Sequence, residues 1–489
     1  MSMDIQLECL TNLGTEKEEA KLETNSIQMT KPEMRKYILK LAFPAILEML
    51  MQTLLGFADM AMVGVLGAAG IAAVGLSDMP IMTAIALFAA ISVGTTALVS
   101  RAVGAKNISE ATEVGKQSLI ISVFFAIIFT ILGLIFSEKL IILMGAEEDV
   151  IPLATSYFRH ICWGIPMLIV TMIMSGVLRG SGDTKTPMYI NGIANILNII
   201  GNFFLIFKTR TIFFTLPFVG KELSLWIPGA GWGVAGAAIS TSISRWVAGI
   251  LVLYVLYSGK GKVQMSIKEK VRLDFAIIKR IFHIGIPAAL EQFLLRLGQL
   301  AFNRLIANLG TTMYAAHRIT NTAESISYNV GFGFALAATT LVGQYLGAED
   351  PEAAQESGHM AVKMGAIFMS IMGVFFFIWP QVFLLIFTRD PDILHPASWC
   401  LRIEALAQPF LAFAMGYAGA LRGAGDTKQV LIISIVGIWG VRVSLTFLFI
   451  SVLGYGLISA WVAMTIDLIV RGFWLLLAFR KGKWKTVEV

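Results

Sequence analysis

The residue whose type and setting speak most directly of chemistry is Asp59, an acid inside the apolar run 41–64. An acid near mid-membrane costs about 2.5–3.5 kcal/mol on insertion scales, so it faces the protein interior and a functional role is the default expectation. There it can exchange a proton or hold a monovalent cation. Helix rise says which groups can meet it: at about 1.5 Å per residue, Asp59 stands roughly 27 Å above the start of its span and Asn202 roughly 24 Å above the start of the span 186–207. Asn198 lies one turn below Asn202 on the same face, and Thr241, in the span 232–257, reaches about the middle of the bilayer. Asp59, Asn198, Asn202 and Thr241 are therefore expected to form one polar cluster. It is either a cation-coupling site or, on the plainer reading, a set of hydrogen bonds that locks helices together.

Other charges also sit in apolar runs. The same depth arithmetic places Glu48 level with Arg245, Glu291 slightly above Arg471, and Arg296, Glu404 and Arg442 together at roughly 20 Å. Pairing lowers the cost of charge in hydrocarbon, so these are read as structural ion pairs, with Glu404 and Asp467 as secondary coupling candidates. His160, His283, His317, His359 and His395 are scattered with no His-x-x-x-His spacing, and Cys9, Cys162 and Cys400 offer neither a paired framework nor metal-ligand spacing. An enzyme is not expected. Neither is a cofactor, nor any metal beyond a sodium ion at Asp59, the coupling ion being H+ or Na+.

These side chains need apolar helices to hold them. Of the 489 residues 56% are hydrophobic and 14% charged, against about 25% charged in a soluble domain. Hydropathy places spans near 41–64, 78–100, 118–137, 154–178, 186–207, 232–257, 284–308, 320–343, 362–387, 399–421, 429–453 and 456–479. The expected fold is an all-α integral membrane protein of twelve transmembrane helices. Its first residues are polar and acid-rich without an apolar core and cleavage site, which reads as a cytoplasmic tail and not a signal peptide. The net charge of +6 follows the positive-inside alternation, which puts both termini in the cytoplasm of a multi-pass cell-membrane protein and argues against nucleic acid as a partner. Lys260, Lys262, Lys268, Lys270, Arg272, Lys279 and Arg280 form the densest basic cluster, suited to acidic lipid headgroups.

The chain repeats itself. Gly176-Val177-Leu178-Arg179-Gly180-Ser181-Gly182-Asp183-Thr184-Lys185 returns as Gly419-Ala420-Leu421-Arg422-Gly423-Ala424-Gly425-Asp426-Thr427-Lys428, an offset of 243. The same offset carries Pro44-Ala45 and Leu47-Glu48 onto Pro287-Ala288 and Leu290-Glu291, Thr96 onto Thr339, and Gly104-Ala105 onto Gly347-Ala348. Past the fifth span it falls to 223, where Gly231-Trp232-Gly233 meets Gly454-Tyr455-Gly456, so the first half carries an external insertion between Lys208 and Gly229. Six spans per half give parallel repeats, two six-helix lobes related by a pseudo-two-fold axis along the membrane normal. The expected divisions are a tail 1–35, a lobe 36–258, a basic linker 259–281, a lobe 282–480 and a basic tail 481–489. The glycine-rich loops lack the Walker spacing and a preceding strand, so they read as tight turns and not as nucleotide sites.

Together the paired Leu-Arg-Gly-x-Gly-Asp-Thr-Lys loops, the Pro-Ala-x-Leu-Glu starts at 44 and 287, and the run Phe57 to Gly67 resemble the multidrug and toxic compound extrusion (MATE) family over roughly residues 35–480. The resemblance implies two lobes facing across a central cavity, and antiport of drugs or metabolites, often cationic, against protons or sodium ions. It sets Asp59, Asn198 and Thr241 where the family has its first-helix acid, fifth-helix Asn and sixth-helix hydroxyl. Asn202 departs from members that carry Asp there, so Asp59 would serve as the single carboxylate. Leu295 or Arg296, and the absence of Asp near Phe413, depart from the branch with acids in the seventh and tenth spans.

The function expected is a secondary active antiporter, monomeric, exporting a small organic substrate across the lipid bilayer by alternating access. A flippase of lipid-linked sugars would need a strongly cationic cavity, and a channel would need no exchange-coupled acid.

Overall fold

The computed structural model describes residues 29–215, 222–259, 261–266 and 272–487. Cys9, most of the N-terminal tail, and Lys260, Lys268 and Lys270 of the basic cluster lie outside the described residues. Helices account for nearly all of the rest. The first half runs α1 Lys31–Gly64, α2 Ala68–Gly104, α3 Ile108–Leu143, α4 Ile151–Cys162, α5 Ile165–Gly180, α6 Lys185–Leu205 and α7 Gly233–Tyr257. The second runs α8 Phe275–Ala307, α9 Thr311–Gly347, α10 Pro351–Ile378, the short α11 Pro380–Leu384, α12 Pro391–Gly423, α13 Thr427–Ile435, α14 Ser444–Phe447 and α15 Leu457–Arg480. Wide π turns, Val436–Val443 and Leu448–Val452, connect α13 to α14 and follow α14, making one continuous span.

Among the described residues nine helices are long and apolar enough to cross a membrane. A tenth span is α4 with α5, bent by 48° where Gly164 and Pro166 interrupt the helix. Pro removes a backbone donor, and Gly164 admits α7, since a Cβ there would lie 2.9 Å from Ser242 Cα. The other two are α8 and α12, each of 33 residues. At 1.5 Å per residue they measure about 50 Å, ample for a hydrocarbon core of about 30 Å; their charged residues lower their hydropathy. The twelve expected spans are thereby accounted for. The insertion between Lys208 and Gly229 forms an antiparallel hairpin, β1 Lys208–Thr215 paired with β2 Glu222–Ala230. It is the only sheet among the described residues.

Each half has its own apolar core, yet the starts of two helices cross over. Met34, Ile38, Leu41 and Ala42 of α1 pack into the core of the second half. Reciprocally, Ile277, Ile281 and Ile284 of α8 pack into the core of the first. Glycines permit the closest approach between lobes: a Cβ on Gly104 would meet the Gln344 carbonyl at 1.8 Å, and one on Gly347 the Arg101 carbonyl at 1.9 Å. These two contacts are images of one another under the 243-residue offset. Among the described residues the hydrogen bonds between lobes run from mid-depth, Asn329 Nδ2 to Thr53 Oγ1 (3.1 Å), to the end bearing residues 31 and 480, as with Gln344 Nε2 to the Gly180 carbonyl (3.1 Å). The lobes therefore close on each other at the end that carries both described termini.

Candidate functional site

Near that closed end the repeat builds the same clamp twice. Arg179, at the end of α5, donates to Glu48 Oε1 of α1 at 2.6 Å, and Asn191 of α6 donates to the same oxygen at 2.8 Å. In the second half Arg422 donates to Glu291 Oε1 at 2.7 Å and Ser434 at 3.0 Å. Both glutamates are almost fully buried, at 1% and 2% exposure, and an isolated charge there is expensive unless paired.

These partners correct the pairing expected from depth. Glu48 meets Arg179 and not Arg245; Glu291 meets Arg422 and not Arg471. Depth along a helix fixes height but not the direction a side chain faces, and the loop arginines reach inward from the last turn of the preceding helix. Arg296 does not join Glu404 and Arg442: it is exposed and makes no salt bridge among the described residues. Arg442 and Arg471 instead share Asp467, through Arg442 Nε (2.9 Å) and an Arg471 terminal nitrogen (2.6 Å) on Oδ2. Arg245 sits within electrostatic reach of Asp59 and Tyr157.

Farther from the closed end, in the first lobe, the structure brings Asp59, Asn198, Asn202 and Thr241 together. Asn202 Nδ2 donates to Asp59 Oδ1 at 2.7 Å. In the amide orientation that satisfies its partners, Asn198 donates to Asp59 Oδ1 and accepts from Thr241 Oγ1, both at 2.9 Å. Asn198 and Asn202 are one helical turn apart on α6, so both reach α1 from one face. Ser240 Oγ fastens α7 to α6 by donating to the Asn198 carbonyl at 2.9 Å, and Gly201 gives it room, since a Cβ there would lie 2.4 Å from that hydroxyl. Asn202 Oδ1 is buried without a hydrogen-bond donor. The cluster thus offers a carboxylate and neutral oxygens, the donor set of a hard cation or a proton.

Sequence reading missed several residues. Asp78 of α2 is half-buried within electrostatic reach of Asp59, and Glu324 of α9 lies within electrostatic reach of Glu404. Both fall near the margins of the expected spans 78–100 and 320–343, where a charge looks unremarkable. Arg179, Asn191, Arg422 and Ser434 were in reach of the repeat: the offset that maps Glu48 onto Glu291 also maps Arg179 onto Arg422. Among the described residues no group of His, Cys, Asp and Glu forms a metal site.

The MatE family profile matches the chain twice, over residues 44–204 and 287–448, so each half carries one copy. A probable multidrug resistance protein, NorM, of Thermotoga maritima is 32% identical over 458 residues, covering 94% of this chain and 95% of that protein. The uncharacterized transporter YisQ of Bacillus subtilis is 27% identical, covering 94% and 97%. The outward-facing structure of a multidrug resistance MATE family transporter of the MOP superfamily superposes with a TM-score of 0.82 at 24% identity, covering 92% of this chain and 97% of that one, and so shares the fold. Two profile matches, an almost full-length relative and a common two-lobed fold agree: the chain belongs to the MATE family of membrane transporters, and is not an enzyme.

Proposed function

We propose that the protein is a secondary active antiporter of the cell membrane, with both termini in the cytoplasm. It exports drugs or other small organic, often cationic, compounds in exchange for protons or sodium ions. The observation that carries this reading is Asp59: a half-buried carboxylate held by two amides, beside an Asn202 oxygen that has no donor. A proton on Asp59 gives that oxygen a donor once the Asn202 amide turns. A sodium ion would be met by the same oxygens. Either event rearranges contacts between α1, α6 and α7, so cation binding is linked to the packing of this lobe.

With the termini in the cytoplasm, lobes closed at the terminal end would be the outward-open half of an alternating-access cycle, in which Asp59 meets the external ion. Parting the close contacts at Gly104 and Gly347 would open the terminal side. Exchange of one monovalent organic cation for one proton is electroneutral; unbalanced movement of one charge through 100 mV supplies about 2.3 kcal/mol. Relatives described as multidrug resistance proteins support the substrate class.

The test is efflux of a fluorescent lipophilic cation from reconstituted liposomes under an imposed proton gradient and then a sodium gradient, for wild type and Asp59→Asn. Transport that follows one gradient and is lost in the variant supports the reading and names the ion. Equal transport by the variant would leave Asp59 a helix lock.

A further inference from the structure

We propose that Arg296 anchors a substrate subsite in the cleft between the lobes, one that takes the carboxylate of a compound with an apolar body. The assignment names a substrate class for the transport reading above and rests on that reading. Arg296 lies on α8 eleven residues before its end at Ala307, about 17 Å along the axis, and so near the middle of a hydrocarbon core about 30 Å thick. It is exposed and makes no hydrogen bond or ion pair among the described residues. The acids of its lobe are engaged elsewhere: Glu291 by Arg422, and Asp467 by Arg442 and Arg471. Arg442 also lies within electrostatic reach of Glu324 and Glu404. An unpaired guanidinium at this depth is expensive against lipid and marks a water-filled path.

Helical phase gives the direction in which Arg296 points. Gly285, Gln292, Arg296, Gln299 and Asn303 recur at intervals of seven, four, three and four residues, which is one face of α8. At Gly285 this face lies against α2 of the other lobe, where an added Cβ would stand 3.2 Å from the Ala90 carbonyl. Farther from the closed end the same face is no longer buried, so it lines the cleft. The exposed apolar residues Ile286, Leu290, Phe293, Leu297 and Leu300 form a separate stripe, about 100° round the helix. The first lobe repeats the geometry. Ala42, the image of Gly285, packs on α9, where a Cβ on Gly333 would stand 2.9 Å from the Ala42 carbonyl. Thr53, the image of Arg296, accepts from Asn329 of the opposite lobe at 3.1 Å.

The two walls differ in chemistry. Where α8 carries Gln292, Arg296, Gln299 and Asn303, α1 carries Met49, Thr53, Gly56 and Met60. Methionine side chains are soft and adapt to varied apolar shapes, whereas a guanidinium presents its donors in a fixed fork that matches a carboxylate. Gln299 Nε2 donates to Asn303 Oδ1 at 3.2 Å, and that oxygen also meets His317 Nε2 at 3.1 Å. These contacts hold the stripe beyond Arg296 and leave the guanidinium unshared. Tyr328 of α9 lies within electrostatic reach of Arg296 and is itself exposed, so its phenol borders the same space. A ligand that satisfies both walls sets its carboxylate on Arg296, with the Gln292 amide one turn away, and its apolar body on the methionines. The subsite is separate from Asp59, which stands six residues beyond Thr53 on α1 and is bonded within the first lobe.

The test is calorimetric binding of a naphthalene carboxylate, and of the naphthalene carboxamide as its neutral isostere, to the purified protein in detergent with no ion gradient. No transport is measured, so failure of the antiport reading shows in the efflux assay and failure of this subsite shows here. Wild type is expected to bind the carboxylate at least about tenfold more tightly than the carboxamide. Arg296→Gln should abolish that preference and leave carboxamide binding unaltered, while Arg296→Lys, which keeps the charge without the fork, should retain only part of it. Equal affinity for the two probes in wild type, no measurable binding of the carboxylate, or a preference that survives Arg296→Gln overturns the proposal. Should Arg296→Gln fail to fold, Arg296→Met gives the same reading.

Discussion

The two lobes agree where they hold the helices and differ where they hold charge. Near the closed end each has a buried glutamate one turn after an in-helix proline, gripped by an arginine from the repeated loop. Higher up, Asp59 of the first lobe stands at the position of Phe302 in the second, while Glu324 and Glu404 of the second stand at Ile81 and Ile161 of the first. Duplication preserved a frame and moved the titratable groups to different places within it. The lesson is that the repeated charges maintain the architecture, and the charges that break the repeat are the ones to suspect of function.

The largest expected effect attacks the shared frame. Glu48→Ala and Glu291→Ala each leave an arginine without its partner and are expected to destabilise by about 3–5 kcal/mol, as breaking buried ion pairs does. Equal falls in thermal unfolding temperature would support equivalence of the clamps; a large inequality would break it. Next are Gly104→Val and Gly347→Val, where the added atoms collide with backbone carbonyls. Overpacking of about 1–3 kcal/mol should loosen the closed end, read as increased labelling of a cysteine placed at Ser100 from the terminal side.

Smaller effects test the divergent level. Asp59→Asn should reduce gradient-driven efflux at least about tenfold, equivalent to about 1.4 kcal/mol, with little change in thermal stability. Phe302→Leu, at the matching position, should leave the ion dependence of efflux unaltered. The double replacement Glu324→Ile with Glu404→Ile copies the first lobe's seam. Replacing buried polar pairs by packed apolar groups is often neutral or stabilising, so its melting temperature should equal or exceed that of wild type; a marked fall would show that the acids are structural.

Much of the frame was legible in the sequence because hydropathy and an unbroken offset are local, countable properties. Twelve spans and two lobes followed from them, and the bend between α4 and α5 falls at Gly164 and Pro166. The Asp59 cluster was legible too, since depth and helical phase put Asn198 and Asn202 on one face at the right height. Depth failed for Glu48 with Arg245 and for Glu291 with Arg471, where the missing quantity was azimuth. It also failed for Glu324 and Asp78, because a charge a turn inside a span looks like one at its boundary.

By itself the sequence determined the membrane setting, the duplication and the presence of an acid that lipid would not tolerate. Those follow from transfer energies and from spacing along one chain. Only the tertiary structure decided that α1 and α8 pack their starts into opposite lobes, and which arginine each glutamate holds. Each of these depends on how separate helices are rotated and crossed, and that is set by packing between residues up to hundreds of positions apart.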